Sequence, residues 1–272
     1  MSAVPLESVT PPWGADAPGR RTREGWERVL ALSAPIALLV LWEAATRSGL
    51  LDRRFFPAPS QIAETFWSLL ETGELPAHTW ASVRRVLIGF AIGAAPAVAL
   101  GVLIGFVRPL RLAVNPIIAA LYPVPKSAIA PLLLLIFGFE EESKWVLVAI
   151  GAFFPVVLNT TAGVMQIDRI YYDVAKNFGA GRMQFFATVA LPGALPNIMT
   201  GLRLGLGMGM ILIAVAEIVG AKSGLGFMIW NSWQVFQVEP MYVGLIMIAA
   251  LGVIFTFVLE EVERLLIPWR RP

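Results

Sequence analysis

Between Arg85 and Arg108 the chain carries no charged residue. A helix needs about 20 apolar residues to cross a bilayer, and this run, 86–107, supplies them. Comparable runs fall at 29–46, 112–139, 145–167, 204–221 and 241–259. In lipid, backbone N–H and C=O groups must pair within their own segment or around a closed barrel. The runs are continuous rather than alternating, so helices satisfy that demand and strands do not. Composition agrees: 57% of the 272 residues are hydrophobic and 15% charged, whereas soluble domains hold about half apolar residues. The expected fold is all-α, a polytopic membrane protein with six transmembrane helices.

Several chemistries are excluded at once. The chain has no cysteine and one histidine, His78, so thiolate chemistry, disulfides and His-pair metal sites are out of reach. A formal charge of +2 is too small to imply a nucleic-acid partner. Residues 1–28, rich in Pro, Gly and Arg, read as a flexible tail ahead of a transmembrane domain at 29–272. The run 29–46 ends on Glu43-Ala44-Ala45-Thr46, a poor cleavage site, so it reads as a retained span rather than a signal peptide.

Basic residues set the topology. With the N-terminus in the cytoplasm, thirteen Lys and Arg lie on the cytoplasmic side and seven on the other. Cytoplasmic loops retain the basic excess, so both termini and the stretch 168–197 are expected on the cytoplasmic side of the cell membrane. On the outer side, Ile62, Phe66, Leu69 and Leu70 share one face of a surface helix for which Ser60 is a candidate cap. Trp230, Trp233 and Phe236 suit an interfacial aromatic belt. Gly89, Gly93, Gly101 and Gly105, and then Gly201, Gly205 and Gly209, form small-residue stripes. Such stripes let helices pack closely, and the second could also let its helix slide during gating.

The stretch 173–196, DVAKNFGAGRMQFFATVALPGALP, breaks the apolar pattern. It reads as two short helices with a turn at Gly179 and Gly181. Asp173 is suited to a helix N-terminus, and Val174, Ala175, Phe178, Phe185 and Phe186 offer an apolar face. Pro192 cannot continue a helix interior, and Pro196 fits the first turn of the next one. An exposed knob with such faces calls for a partner.

The order Asp173-Val174-Ala175, three residues, Gly179, nine residues, Val189, one residue, Leu191-Pro192 resembles the EAA loop of binding-protein-dependent ABC importer permeases. Asp173 replaces that family's Glu and Val174 its first Ala. The stretches FPAPSQI (56–62), ALYPVPKSAIAPLLLLIFGFEEESK (120–144) and AEIVGAKSGLGFMI (216–229) resemble its nitrate/sulfonate/taurine branch. The resemblance implies the ABC type I importer permease fold and a homodimer. It also implies two cytoplasmic ATPase subunits that hold ATP and Mg, and an extracytoplasmic solute-binding protein. Residues 168–197 would form the coupling segment. Val174, Ala175, Phe178 and Ala180 would fill a groove of the ATPase, Gly179 would allow close approach, and Asp173 and Arg182 would make rim contacts. Leu191 and Pro192 complete the motif.

No cofactor is expected on this chain, and no catalytic constellation is present. The nearest approach to a phosphate loop, AEIVGAKS at 216–223, has alanine at both required glycines. Pathway candidates are the acid Glu217, which would cost about 2.5–3.5 kcal/mol at mid-helix, Lys126 beside helix-breaking Pro123 and Pro125, and Asn159. Lys126 would suit an anionic solute; a Lys126–Glu217 pair is the structural alternative. An ion-coupled secondary transporter using both residues is the competing functional reading.

Overall fold

The structure, a computed structural model, describes residues 20–269, with side chains from Ser33 onward. Among these residues it contains helices and no strand. In chain order they are α1 (Arg20–Arg47), α2 (Pro59–Glu71), α3 (Glu74–Phe106) and α4 (Arg108–Leu121). A 3-10 turn (Lys126–Ile129) then leads into α5 (Ala130–Phe137) and α6 (Glu141–Met165). Next come α7 (Arg169–Asn177), α8 (Arg182–Phe185), a π turn (Phe186–Ala190), α9 (Leu191–Gly220), α10 (Leu225–Gln234) and α11 (Val238–Leu266).

The expected tail lies outside the described residues up to residue 19, and α1 begins at Arg20. Among the described residues, four helical segments are long and apolar enough to cross a membrane: α3, α6, the continuous run Arg182–Gly220, and α11. The segment Arg108–Leu121 and the segment Lys126–Phe137 meet at 83° and make a fifth crossing if taken as one broken span. The break falls at Pro123 and Pro125, where prolines withdraw N–H donors from the helix. The expected first span, 29–46, falls on α1, where Ile36, Leu38, Val40 and Leu41 are exposed.

The chain divides at Gln61 into two compact units. In the first, the Glu43 carboxylate accepts the backbone N–H of Ser60 at 3.0 Å and its hydroxyl at 2.8 Å. Ser60 therefore binds an acid of α1 rather than capping its own helix.

In the second unit α6 is the most buried of the long helices, clasped between two glycine stripes. A Cβ on Gly93 would lie 2.3 Å from the Ala149 carbonyl oxygen, and one on Gly105 would meet Val164 at 2.5 Å. On the other side, Gly201 faces Pro155 and Asn159, and Gly205 faces Ala152. Contact numbers rise together between α3 and α6 and run oppositely between α6 and α9. The first pair is therefore parallel and the second antiparallel. Helix packing in lipid has no hydrophobic force behind it, so close backbone approach supplies the van der Waals contact. Val156 and Val157, with Ala94, Ala97, Ile104 and Ile118, form one apolar cluster. Val164, Ala194 and Ile198 form a second, nearer α7.

Two sequence expectations change here. The apolar run at 86–107 puts Arg85 just outside a span, but α3 starts at Glu74 and carries both Arg84 and Arg85 inside it. The run from Arg182 to Gly220 is helical through Pro192 and Pro196. At Pro192 the π turn accommodates this: it widens the helix just before the proline, and the Leu191 N–H reaches back to the Phe186 carbonyl.

Candidate functional site

The α7–α8 knob is built by local rules. Asp168, not Asp173, caps α7, accepting the Ile170 N–H at 3.0 Å. At the other end Gly179 sits at φ +73°. The Ala180 N–H bonds the Ala175 carbonyl at 2.9 Å and the Gly179 N–H bonds the Lys176 carbonyl at 3.0 Å, a Schellman closure. A Cβ on Gly179 would meet nothing within 4 Å, so any close approach there involves another molecule.

The apolar face expected from the sequence splits in two. Phe185 is buried and Phe186 half-buried, the first against the Tyr172 ring at 4.0 Å and the second edge-on to Phe106 of α3 at 5.5 Å. Facing outward are Val174, Met183 and Phe178, the last 88% exposed. Asp173 and Arg182 are exposed beside them, and Ala175 and Ala180 are half-buried. Leu191 and Pro192 are half-buried at the start of α9, where Leu191 packs against the Val164–Ala194–Ile198 cluster.

Lys126 follows Pro125 at the α4–α5 bend. Its ammonium donates to the Tyr122 carbonyl and lies 5.0 Å from the Tyr122 ring and 4.7 Å from the Phe154 ring, within cation–π range. It borders a cavity of about 440 Å³ whose other walls include Ile92, Val124, Ile150 and Phe153. Glu217 has a different partner, so the two residues are not paired. Asn159 donates to the Pro155 carbonyl at 2.8 Å and abuts Gly201, inside the α6–α9 seam. Thr161 likewise bridges α6 to the Gly101 carbonyl of α3.

Glu217 is the centre of a cluster that sequence reasoning missed. Its side chain is 1% exposed and that of Arg85 3%. The Arg85 Nη1 atom lies 2.9 Å from Glu217 Oε1, and its Nη2 and Nε lie 2.7 and 2.9 Å from the two oxygens of Glu141. Nη1 also donates to the Ser223 carbonyl at 2.6 Å, and Nη2 to the Ser223 hydroxyl at 3.0 Å. All five guanidinium N–H groups are thereby used. The Ser82 hydroxyl is 2.8 Å from Glu217 Oε2, which also accepts the Gly226 N–H at 2.9 Å. Gly224 stands at φ +112°, where a Cβ would fall 2.2 Å from the Glu217 carboxyl carbon. The available signal was spacing: His78, Ser82 and Arg85 recur at i, i+4 and i+7, one face of a helix.

Among the described residues no group of three or more His, Cys, Asp or Glu could hold a metal ion. The arrangement ties α3, α6 and α9 to the start of α10 through Arg85, Glu141, Glu217 and Ser82.

Residues 97–268 match the family described as binding-protein-dependent transport system inner membrane component. The chain is 37% identical to a putative aliphatic sulfonates transport permease protein of Bacillus subtilis, over 93% of this chain and 91% of that one. It is 31% identical to the taurine transport system permease protein of Escherichia coli, over 92% and 94%. Identity to the nitrate import permease protein of Synechocystis is 30%, over 85% and 86%. Among solved structures, an inward-facing form of the MetNI methionine ABC transporter matches with a TM-score of 0.61 at 20% identity. That match covers 75% of this chain and 98% of that one, a shared fold of the ABC type I permease kind.

Proposed function

Starting from the premise that the chain belongs to the family of binding-protein-dependent transport system inner membrane components, we propose that it is the membrane-spanning subunit of an ATP-driven importer for a small anionic solute. Two copies form the pathway, two ATPase subunits bind the α7–α8 knob in the cytoplasm, and a solute-binding protein delivers cargo on the α10 side. Both termini are cytoplasmic. Transport proceeds by alternating access, with ATP bound and hydrolysed on the partner subunits.

The observation that carries this reading is the outward face of the knob. Val174, Phe178 and Met183 stand exposed around a glycine with open space beside it, flanked by Asp173 and Arg182. An apolar patch with a polar rim is the ordinary anatomy of a protein interface. Tyr172 on Phe185 and Phe186 on Phe106 tie that face to the bundle, so a push on the knob is passed to α3 and α9. The relatives named for sulfonates, taurine and nitrate support an anionic cargo. Lys126 at the α4–α5 cavity, its ammonium bound to a carbonyl and two rings, supports it too. Lys126, Pro125 and the cavity are the proposed pathway elements of this chain.

The test is Gly179→Asp in the reconstituted complex. Asp tolerates left-handed backbone better than most residues, so insertion and unfolding stay close to wild type. ATPase association and ATP-dependent uptake are expected to be lost. Normal uptake with normal ATPase copurification would refute the assignment. A proton-coupled transporter relying on Glu217 and Lys126 gains no support from the geometry, since Glu217 is enclosed by Arg85, Ser82 and Gly226.

A further inference from the structure

The Arg85 cluster does more than neutralise a buried acid. Three successive backbone N–H groups where the α9–α10 turn enters α10 are captured by side chains. Gly224 donates to His78 Nδ1 at 3.0 Å, Leu225 to the Ser82 hydroxyl at 2.8 Å, and Gly226 to Glu217 at 2.9 Å. Arg85 takes both the carbonyl and the hydroxyl of Ser223. The turn is thus held along one face of α3, at His78, Ser82 and Arg85, and by the last turn of α9. Glu141, at the first position of α6, holds the other edge of the guanidinium. Lys144, buried one turn along α6, bonds the Phe139 and Glu140 carbonyls, and the exposed Arg84 reaches the Glu141 carboxylate at 3.4 Å.

Replacing a buried ion pair with apolar side chains of similar volume is often neutral or stabilising. Holding these helices together therefore does not require charge. A five-donor planar fork supplies something else, a single register, and an apolar seam would let the turn slide.

The helical run from Arg182 to Gly220 spans 39 residues, about 58 Å at 1.5 Å per residue, and joins the knob to this cluster. We infer that Arg85 is a positioning residue for transport. With Glu217 it latches the α9–α10 turn to the outer ends of α3, α6 and α9. Displacement of the knob then reaches the outer face as movement of one body, and α10 moves with the bundle instead of lagging behind it. This inference rests on the permease reading above.

The test uses the full complex in nanodiscs and proteoliposomes with its ATPase subunits and binding protein. The variants are Arg85→Lys and the apolar pair Arg85→Met/Glu217→Leu. The chain has no cysteine, so a lone spin label at Trp233→Cys on α10, which is exposed, reports how firmly that helix is held. The apolar pair removes the acceptor of the Gly226 N–H, so its unfolding midpoint is expected somewhat below wild type, with the complex still assembled and basal ATPase activity within twofold. Label mobility should rise, and uptake per ATP hydrolysed should fall at least tenfold. Arg85→Lys keeps the charge with fewer donors and should fall between. Wild-type uptake per ATP in a folded apolar pair would overturn the latch, as would lost uptake with an immobile label. A wild-type complex that shows no ATP-dependent uptake would instead refute the functional reading, while the label measurement still judges the latch.

Discussion

Gly224→Ala is the sharpest probe of the cluster's geometry. At φ +112° and ψ 164° the backbone occupies a region that is essentially restricted to glycine, and an L-residue there costs about 1–3 kcal/mol. The new methyl would also lie 2.2, 2.3 and 2.4 Å from the three carboxyl atoms of Glu217, where carbon contacts rest at roughly 3.5 Å. The carboxylate has to retreat by about 1 Å, which breaks its bond to the Gly226 N–H or to Ser82. A hydrogen bond to a charged group contributes about 1.5–3 kcal/mol, so the expected loss is about 2.5–6 kcal/mol. Two controls divide that sum. Gly179→Ala carries only the left-handed strain, about 1–2 kcal/mol, because nothing lies within 4 Å of its Cβ. Gly207→Ala, helical and equally open, should change stability by about 0.5 kcal/mol or less. The assay is unfolding in mixed micelles followed by tryptophan fluorescence. If Gly224→Ala unfolds no more easily than Gly179→Ala, the packing of Glu217 against the turn is wrong.

Gly93→Ala should cost more than 2 kcal/mol, roughly the scale of core overpacking, because its methyl would meet the Ala149 backbone at 2.3 Å. Gly252→Ala, with open space around it, should be neutral in the same unfolding assay. Phe178→Ala should leave the unfolding midpoint unchanged, since the ring is 88% exposed, yet weaken ATPase binding by about 2 kcal/mol, as for an interface hot spot; a pull-down titration reads this directly. Lys126→Ala should lower uptake about tenfold, equivalent to about 1.4 kcal/mol, in a complex that still assembles, with Lys126→Arg retaining most of it. Unchanged uptake for the alanine variant would remove Lys126 from the pathway.

What the sequence displays depends on whether a signal is local. Charge-free runs are local, and they locate α3, α6, α9 and α11. Glycine spacing is local, and it marks the seams, although not that α6 is the helix both stripes meet. The break at Pro123 and Pro125 is likewise legible from two residues. Arg85 was lost because a charge beside an apolar run reads as the end of a span, whereas α3 already runs for eleven residues before it. Its contact with Glu217 is separated by 132 positions, and no periodicity reaches that far. Asp173 was misplaced for a different reason: α7 begins four residues earlier than its charge suggests, and the Ile170 bond makes Asp168 the cap. One long-range feature nevertheless leaves a local trace. An acid enclosed in a bilayer needs N–H donors, and backbone can approach its carboxylate closely only where no Cβ intervenes. Glu217, a polar turn, then Gly224 and Gly226 is therefore the pattern such an acid imposes on its own neighbourhood, and it identifies the turn as the acid's partner without reference to any other helix.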